Sequence, residues 1–250
     1  MSEESKRPGL PEVDLHEYGG KKDGERQKLD ERLFMQLLVF DSPPEVDPEE
    51  ATGALVDGCE KAKLPGVIYE DASSPFGLAL LSWSKDPAHF VTNVRPIFRA
   101  PELRRLVPRI DYTMLGRTYS SGYEPDLPYW LLQRPIDNVT DPKAPWAIWY
   151  PLRRTGAFAA LDRAEQASIL REHAGIGMAY GKRDLAHDVR LACHGLDAKD
   201  NEFLIGLIGQ KLHPLSHVVQ AMRSTRQTAE YIAQMGPFFV GHARWQSKGA

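Results

Sequence analysis

Cysteine is nearly absent from this 250-residue sequence: only Cys59 and Cys193 occur. That is too few for a disulfide scaffold, and neither sits in the CxxC spacing of a structural zinc site or redox motif. A reducing, cytoplasmic setting is the expectation. No stretch approaches the roughly 18 uninterrupted apolar residues of a membrane helix, and the first 30 residues carry charged runs (EESKR, KKDGERQK) in place of an apolar leader core. Neither secretion nor membrane spanning is expected. An excess of positive charge is also missing, with 31 Lys+Arg against 34 Asp+Glu for a net charge of −3, which argues against nucleic-acid and anionic-membrane partners. There is no P-loop, no GxGxxG after a strand, no GxSxG elbow and no paired-carboxylate motif, so nucleotide-dependent and ordinary hydrolase chemistry lack an anchor.

What is present is an ordinary globular balance, 42% hydrophobic and 26% charged, on a chain long enough to bury a substantial core without covalent help. Residues 1–30 are polar and show neither helical nor strand periodicity, which predicts a flexible extension or one draped over a neighbour. Pattern and punctuation then predict a strand at 33–40, a helix at 48–63, strands at 66–71 and 76–84, a helical stretch at 86–106 broken by Pro96 and Pro101, and a strand at 109–120. A Pro-rich connector over 123–145 leads to the same order again: a strand at 147–152, a helix at 162–180, strands at 188–196 and 202–209, a helix at 214–225 and a strand at 237–245.

The second-half helix has Asp162 and Glu165 at capping-box spacing. Two consecutive β-α-β-β-α-β units predict an α+β fold of tandem ferredoxin-like modules, over 31–122 and 146–250, each an antiparallel sheet with its helices outside.

Several residue groupings could carry chemistry. Ile169, His173, Ile176 and Tyr180 fall at i, i+4, i+7 and i+11 on the long second-half helix, which turns His173 toward the core. A satisfied core histidine and an axial iron ligand both fit that placement, and helical spacing alone does not decide between them. His213 and His217 are spaced i, i+4, but no Glu lies between them as in HExxH and no third ligand is indicated, so a structural or solvated role is expected. The strand AIWYPLRR sets Tyr150 among apolar neighbours and ends in Arg153 and Arg154. It reads either as a core strand with two solvated arginines or as a redox-active tyrosine beside a pocket whose rim cations grip carboxylates. Arg190 alternates with Ala192 and His194, and on an inner face its guanidinium would need an anion.

The segments WYPLRR (149–154), EHAGIGMAYG (172–181), HGLDAKDNEFLI (194–205), MRSTRQTAEY (222–231) and GPFFVG (236–241), in that order, resemble the chlorite dismutase family of haem proteins. Within it they look most similar to the coproheme decarboxylases. The resemblance implies a tandem ferredoxin-like fold, a haem b or Fe-coproporphyrin III cofactor, and a homo-oligomer, commonly a pentamer. It implies His173 as the iron ligand and Tyr150 as the tyrosine that forms the catalytic radical. Arg154 and Arg134 match cations near the propionates, and Leu152 and Ile176 would border the porphyrin. Coproheme and hydrogen peroxide are the implied substrates, with chlorite as the alternative. The chain departs from the family pattern at Arg190, where decarboxylases of one type carry glutamine and chlorite dismutases carry a distal arginine. It departs again at Phe158, usually tryptophan, and at Ile208, where chlorite dismutases place a glutamate that bonds the proximal histidine.

Overall fold

The computed structural model describes residues 10–248. Along the chain lie β1 (Glu17–Lys22), β2 (Glu25–Leu29), β3 (Phe34–Asp41), α1 (Pro48–Ala62), β4 (Gly66–Asp71) and β5 (Gly77–Ser84). A π-turn at Phe90–Val94 runs into α2 (Arg95–Ile97), and β6 (Val107–Pro108) and β7 (Met114–Thr118) follow. A second π-turn, Tyr129–Gln133, leads into α3 (Arg134–Thr140). The second half comprises β8 (Trp146–Arg154), α4 (Gly156–Ala159), α5 (Arg163–Gly181), β9 (His187–Ala192), β10 (Phe203–Gly209), α6 (Leu212–Arg223), α7 (Arg226–Tyr231), β11 (Ile232–Met235) and β12 (Phe239–Gln246).

Local chemistry sets the boundaries of these elements. Asp47 caps α1, its carboxylate accepting from Glu49 N at 3.0 Å, with Pro48 in the first turn where no N–H is needed. Asp162 caps α5 in the same way, accepting from Glu165 N at 2.8 Å. Pro96 and its neighbourhood break the 86–106 stretch into short turns, as the prolines require.

The four main strands of each half pair in the order expected of the β-α-β-β-α-β unit, β7-β3-β5-β4 in the first and β12-β8-β10-β9 in the second, and every pairing is antiparallel. The two sheets are not separate. β4 pairs with β12 and β7 pairs with β9, so eight strands close into a ring with no free edge between the halves. Alternation along the strands then sorts the core into layers. Met35, Leu37, Tyr69, Leu81, Trp83, Trp149, Val189, Leu191 and Phe239 fill the interior of the ring. Outside it, α1 covers Ile68, Leu78 and Leu80 in the first half, while α5 and α6 lie over Ile148, Tyr150, Leu152 and Leu207 in the second. Trp149 approaches Gly206 so closely that a Cβ there would lie 2.6 Å from the indole ring.

Three local readings change. Within the supposed polar extension, residues 17–29 form a hairpin whose turn, Asp23 (φ 53°) and Gly24 (φ 88°), has the two left-handed residues of a type I′ loop. Residues 1–9 lie outside the described part of the chain. The connector over 123–145 is largely helical from 129 to 140, anchored by the buried Leu131, Pro135 and Val139. Two strands are shorter than their patterns predict. The first half's last strand is held to 114–118 by a 3₁₀ turn at Ile110–Tyr112, and β9 stops at Ala192, so His194 does not continue the Arg190 face. Among the described residues no helix is long and apolar enough to cross a membrane.

Candidate functional site

The second-half sheet turns Ile148, Tyr150, Leu152 and Arg154 of β8 toward its helices, with Phe203, Ile205 and Leu207 from β10 and Asp188 and Arg190 from β9. The register places Ile205 opposite both Tyr150 and Arg190, so these three form a row across neighbouring strands. Two strand spacings put the Cα atoms of Tyr150 and Arg190 about 10 Å apart. Tyr150 is 6% exposed and stacks on Phe238, ring centroids 4.6 Å apart. Burial pushes its phenol well above the ordinary range; Asp188 adds to this and the nearby Arg223 opposes it.

Above this face runs α5, a 19-residue helix of which only Ile169 is fully buried. Ile176 and Tyr180 pack partly against the sheet cluster, as do Val219, Met222, Ile232, Met235 and Phe238 from the other surrounding elements. A helix so sparsely buried over an apolar sheet leaves the aliphatic and aromatic side chains between them half-covered, and these bound the candidate slot.

His173 projects from α5 into this region and is half-buried. Its Nδ1 lies 3.4 Å from Thr225 Oγ1. Thr225 is 1% exposed, and its hydroxyl donates to Met222 O at 2.8 Å. That oxygen can therefore only accept from the imidazole, which places the ring proton on Nδ1 and leaves the Nε2 lone pair free. Burial, reinforced by the positive charge of Arg190, lowers the His173 pKa and so favours the neutral ring. Ile208 takes no part. It faces the ring interior at 1% exposure, and Thr225 is the histidine's partner in its place.

The arginines are arranged differently from the sequence expectation. Arg134 is not free to grip a carboxylate ligand, because its Nη2 donates to Asp188 Oδ1 at 2.7 Å and its Nη1 to Asp188 O at 3.0 Å, while its guanidinium lies 4.5 Å over Trp130. Arg190 Nε pairs with the other oxygen of the same carboxylate at 3.0 Å. Burial alone would push the Asp188 carboxyl up; the two guanidiniums outweigh it and hold the group below its usual range. Arg154 is likewise engaged, its Nε donating to Glu202 Oε2 at 3.0 Å and its Nη2 to Oε1, with the guanidinium 4.3 Å over Phe158 and 4.8 Å over Phe203. Arg223, exposed at the end of α6, forms no ion pair among the described residues.

Beside Arg190 a shallow, open recess is lined by Tyr119, Glu124, Trp130, Arg134 and Val189. The structure thus brings Tyr150, Leu152, His173, Ile176 and Arg190 around one slot, with Arg154 at the far end of β8. Asp188, Glu202, Thr225, Arg223 and Tyr119 were not found from sequence. Arg223 and Thr225, inside MRSTRQTAEY, and Glu202, inside HGLDAKDNEFLI, carried a local signal; Asp188 and Tyr119 did not. His213 and His217 stay outside the slot, with ring centroids 5.9 Å apart and His217 Nδ1 bonded to the Tyr180 hydroxyl. Among the described residues no group of three acidic, His or Cys side chains could hold a metal ion.

No curated protein matches the chain significantly in sequence. Among solved structures, a haem-binding protein from Thermus thermophilus superposes with a TM-score of 0.65 at 21% identity, covering 85% of this chain and 91% of that one. Chlorite dismutase from Candidatus Nitrospira defluvii in complex with imidazole superposes with a TM-score of 0.67 at 14% identity, covering 84% of this chain and 90% of that one. The family model described as chlorite dismutase matches residues 86–244. A match over more than half of the sequence, on a fold shared along nearly the whole chain, makes this protein a member of the chlorite dismutase family.

Proposed function

We propose that the protein binds an iron porphyrin in the slot between α5 and the second-half sheet and carries out peroxide-driven oxidative decarboxylation of Fe-coproporphyrin III to haem b. The residues present fit such a group. The slot offers a neutral imidazole with a free Nε2, walls of partly covered apolar side chains, and arginines at its margins. His173 would hold the iron, with Ile176 and Leu152 against the ring. The bound porphyrin iron supplies the oxidising power once peroxide reaches it, and that chemistry is the cofactor's own.

The observation that carries the decarboxylase reading is Tyr150, a buried phenol in the same row as Arg190 and facing the slot. Its raised pKa keeps it protonated, so oxidation removes a proton with the electron. The resulting tyrosyl radical would regain a hydrogen atom from a propionate β-carbon, restoring the phenol. Over the whole reaction one propionic acid and one hydrogen peroxide become a vinyl group, carbon dioxide and two waters, which balances. Among the nearby arginines, Arg223 has no competing carboxylate among the described residues. It would position a propionate near Tyr150, while Arg154 and Arg134 contribute from behind Glu202 and Asp188.

A second reading, chlorite conversion to chloride and oxygen, is favoured by one observation. The terminal nitrogens of Arg190 make no hydrogen bond among the described residues and could polarise a small oxyanion. The two readings separate cleanly in one assay. Protein loaded with Fe-coproporphyrin III is treated with stepwise peroxide and the porphyrin followed by mass, two successive losses of about 46 Da (CO₂ plus two hydrogens) being expected. An unchanged mass, with oxygen evolved on adding chlorite and lost in Arg190→Ala, would replace the decarboxylase by the chlorite reading.

A further inference from the structure

Asp188 is held from two sides. Oδ1 accepts from Arg134 Nη2 at 2.7 Å, the backbone carbonyl accepts from Arg134 Nη1 at 3.0 Å and Asn138 Nδ2 at 3.1 Å, and Oδ2 forms an ion pair with Arg190 Nε at 3.0 Å. Arg134 and Asn138 both belong to α3, so the carboxylate is fixed from the helix that joins the two halves and cannot turn freely on β9. On the other side, the ion pair with Arg190 uses the nitrogen nearest the backbone. The two terminal nitrogens stay unbonded among the described residues, on a side chain that keeps 35% of its surface accessible. Arg190 also borders the recess beside Tyr119 and Glu124. A flexible four-bond side chain is thereby held at its Nε with its donor fork left open.

We propose that Asp188 is a positioning residue, which fixes the Arg190 guanidinium from α3 so that its terminal nitrogens receive a small anion in the slot. The inference deepens the proposed porphyrin site and rests on it. Asp188 touches no ligand itself; it acts through Arg190. A simple electrostatic role has the opposite sign, because a negative charge beside the slot repels an anion and its removal would tighten anion binding. Position and charge therefore make contrary predictions for one substitution. Asparagine has the shape of aspartate but a single carbonyl acceptor, so Asp188→Asn must surrender either Arg134 or Arg190.

The test uses the full chain loaded with ferric haem, sodium fluoride as the anion and absorbance as the readout, in wild type, Asp188→Asn, Arg190→Leu and the double variant. Asp188→Asn is expected to weaken fluoride binding about tenfold, the loss of one charge-assisted hydrogen bond. Arg190→Leu is expected to weaken it at least as much, and the double variant no further than Arg190→Leu alone, since the two residues act as one. Unchanged or tighter fluoride binding in Asp188→Asn, or additive losses in the double variant, would overturn the proposal. If Asp188→Asn fails to fold, Arg134→Gln releases the same carboxylate from its other side and is expected to weaken fluoride as well; unaltered affinity there overturns it too. A wild-type protein that forms no haem complex would overturn the porphyrin site itself, an outcome visible before any fluoride is added.

Discussion

Tyr150 lies against Phe238 with ring centroids 4.6 Å apart and planes inclined by 26°. The stack fixes the ring of the proposed radical site from the link between β11 and β12, while leaving its hydroxyl without a hydrogen bond among the described residues. Tyr150→Phe removes only that oxygen, so stability should change by less than about 1 kcal/mol, as no bond is broken and no cavity opens. Porphyrin binding should persist and the stepwise mass loss should disappear. A Tyr150→Phe protein that converts coproheme at the native rate would remove Tyr150 from the chemistry.

The contact between His173 and Thr225 predicts a separable pair of effects. Thr225 also caps α7, its Oγ1 accepting from Thr228 N at 3.4 Å. Thr225→Val should therefore cost about 1 kcal/mol in denaturant unfolding, the usual loss of a cap. In the loaded protein it should also change the iron–histidine stretching frequency, because the Nδ1 proton loses its acceptor. His173→Ala should lose the axial nitrogen, and added imidazole should restore the native absorption spectrum. An identical spectrum in His173→Ala without imidazole would show that another residue binds the iron.

Much of this arrangement is legible in the sequence because it is local. The strands at 66–71 and 77–84 lie between Gly and Pro breaks, and the ring-facing and helix-facing residues of 146–154 alternate, so both could be read from pattern. The His173 face follows from helical spacing alone. The hairpin at 17–29 escapes because its strands are polar on both faces and only Gly19 is buried, although Asp23-Gly24 carries the turn signal. The helix over 129–140 hides its period behind Pro128 and Pro135. The partners of the arginines lie further out of reach. Asp188 and Arg134 are 54 residues apart, as Glu202 and Arg154 are 48 apart, and their meeting depends on strand register and on ring closure rather than on any neighbouring residue.

Gly206 marks the place where ring packing leaves no room. A Cβ there would sit 2.6 Å from Cζ3 and Cη2 of Trp149, a ring that is wholly buried and has nowhere to move. Gly206→Ala should cost about 2 kcal/mol by overpacking, read as a lower urea midpoint with an unchanged slope. Because Trp149 precedes Tyr150 on β8 and points to the opposite face, the same variant should also disturb the Tyr150 environment. A stability equal to wild type would contradict the close approach.

Glu124 predicts a pH dependence of stability. It is 3% exposed, yet its carboxylate accepts from Ser121 N and Oγ at 2.7 Å each and from Gly122 N and Tyr123 N at 3.0 Å, with Ser120 Oγ also bonded. Burial alone would raise its pKa, but these donors outweigh burial and hold the group below its ordinary range. A carboxyl whose folded pKa is depressed stabilises the native state above the unfolded pKa, about 4.3, and loses that contribution as pH falls through the folded value. Glu124→Gln should thus cost about 2 kcal/mol at pH 7, a charged acceptor being replaced by a neutral one. The gap to wild type should narrow as pH falls from about 4.3, where the unfolded carboxyl protonates, and close once the pH passes the lower folded value at which the native carboxyl becomes neutral. Denaturant unfolding of both proteins at pH 7 and across the acidic range checks the sign. A gap that stays constant through the acid range would show that the loop at 120–124 is held by the shape of the side chain and not by its charge. Glu124 also lines the recess beside Arg190, so loosening this loop should reach the anion-binding side of the slot before it reaches His173.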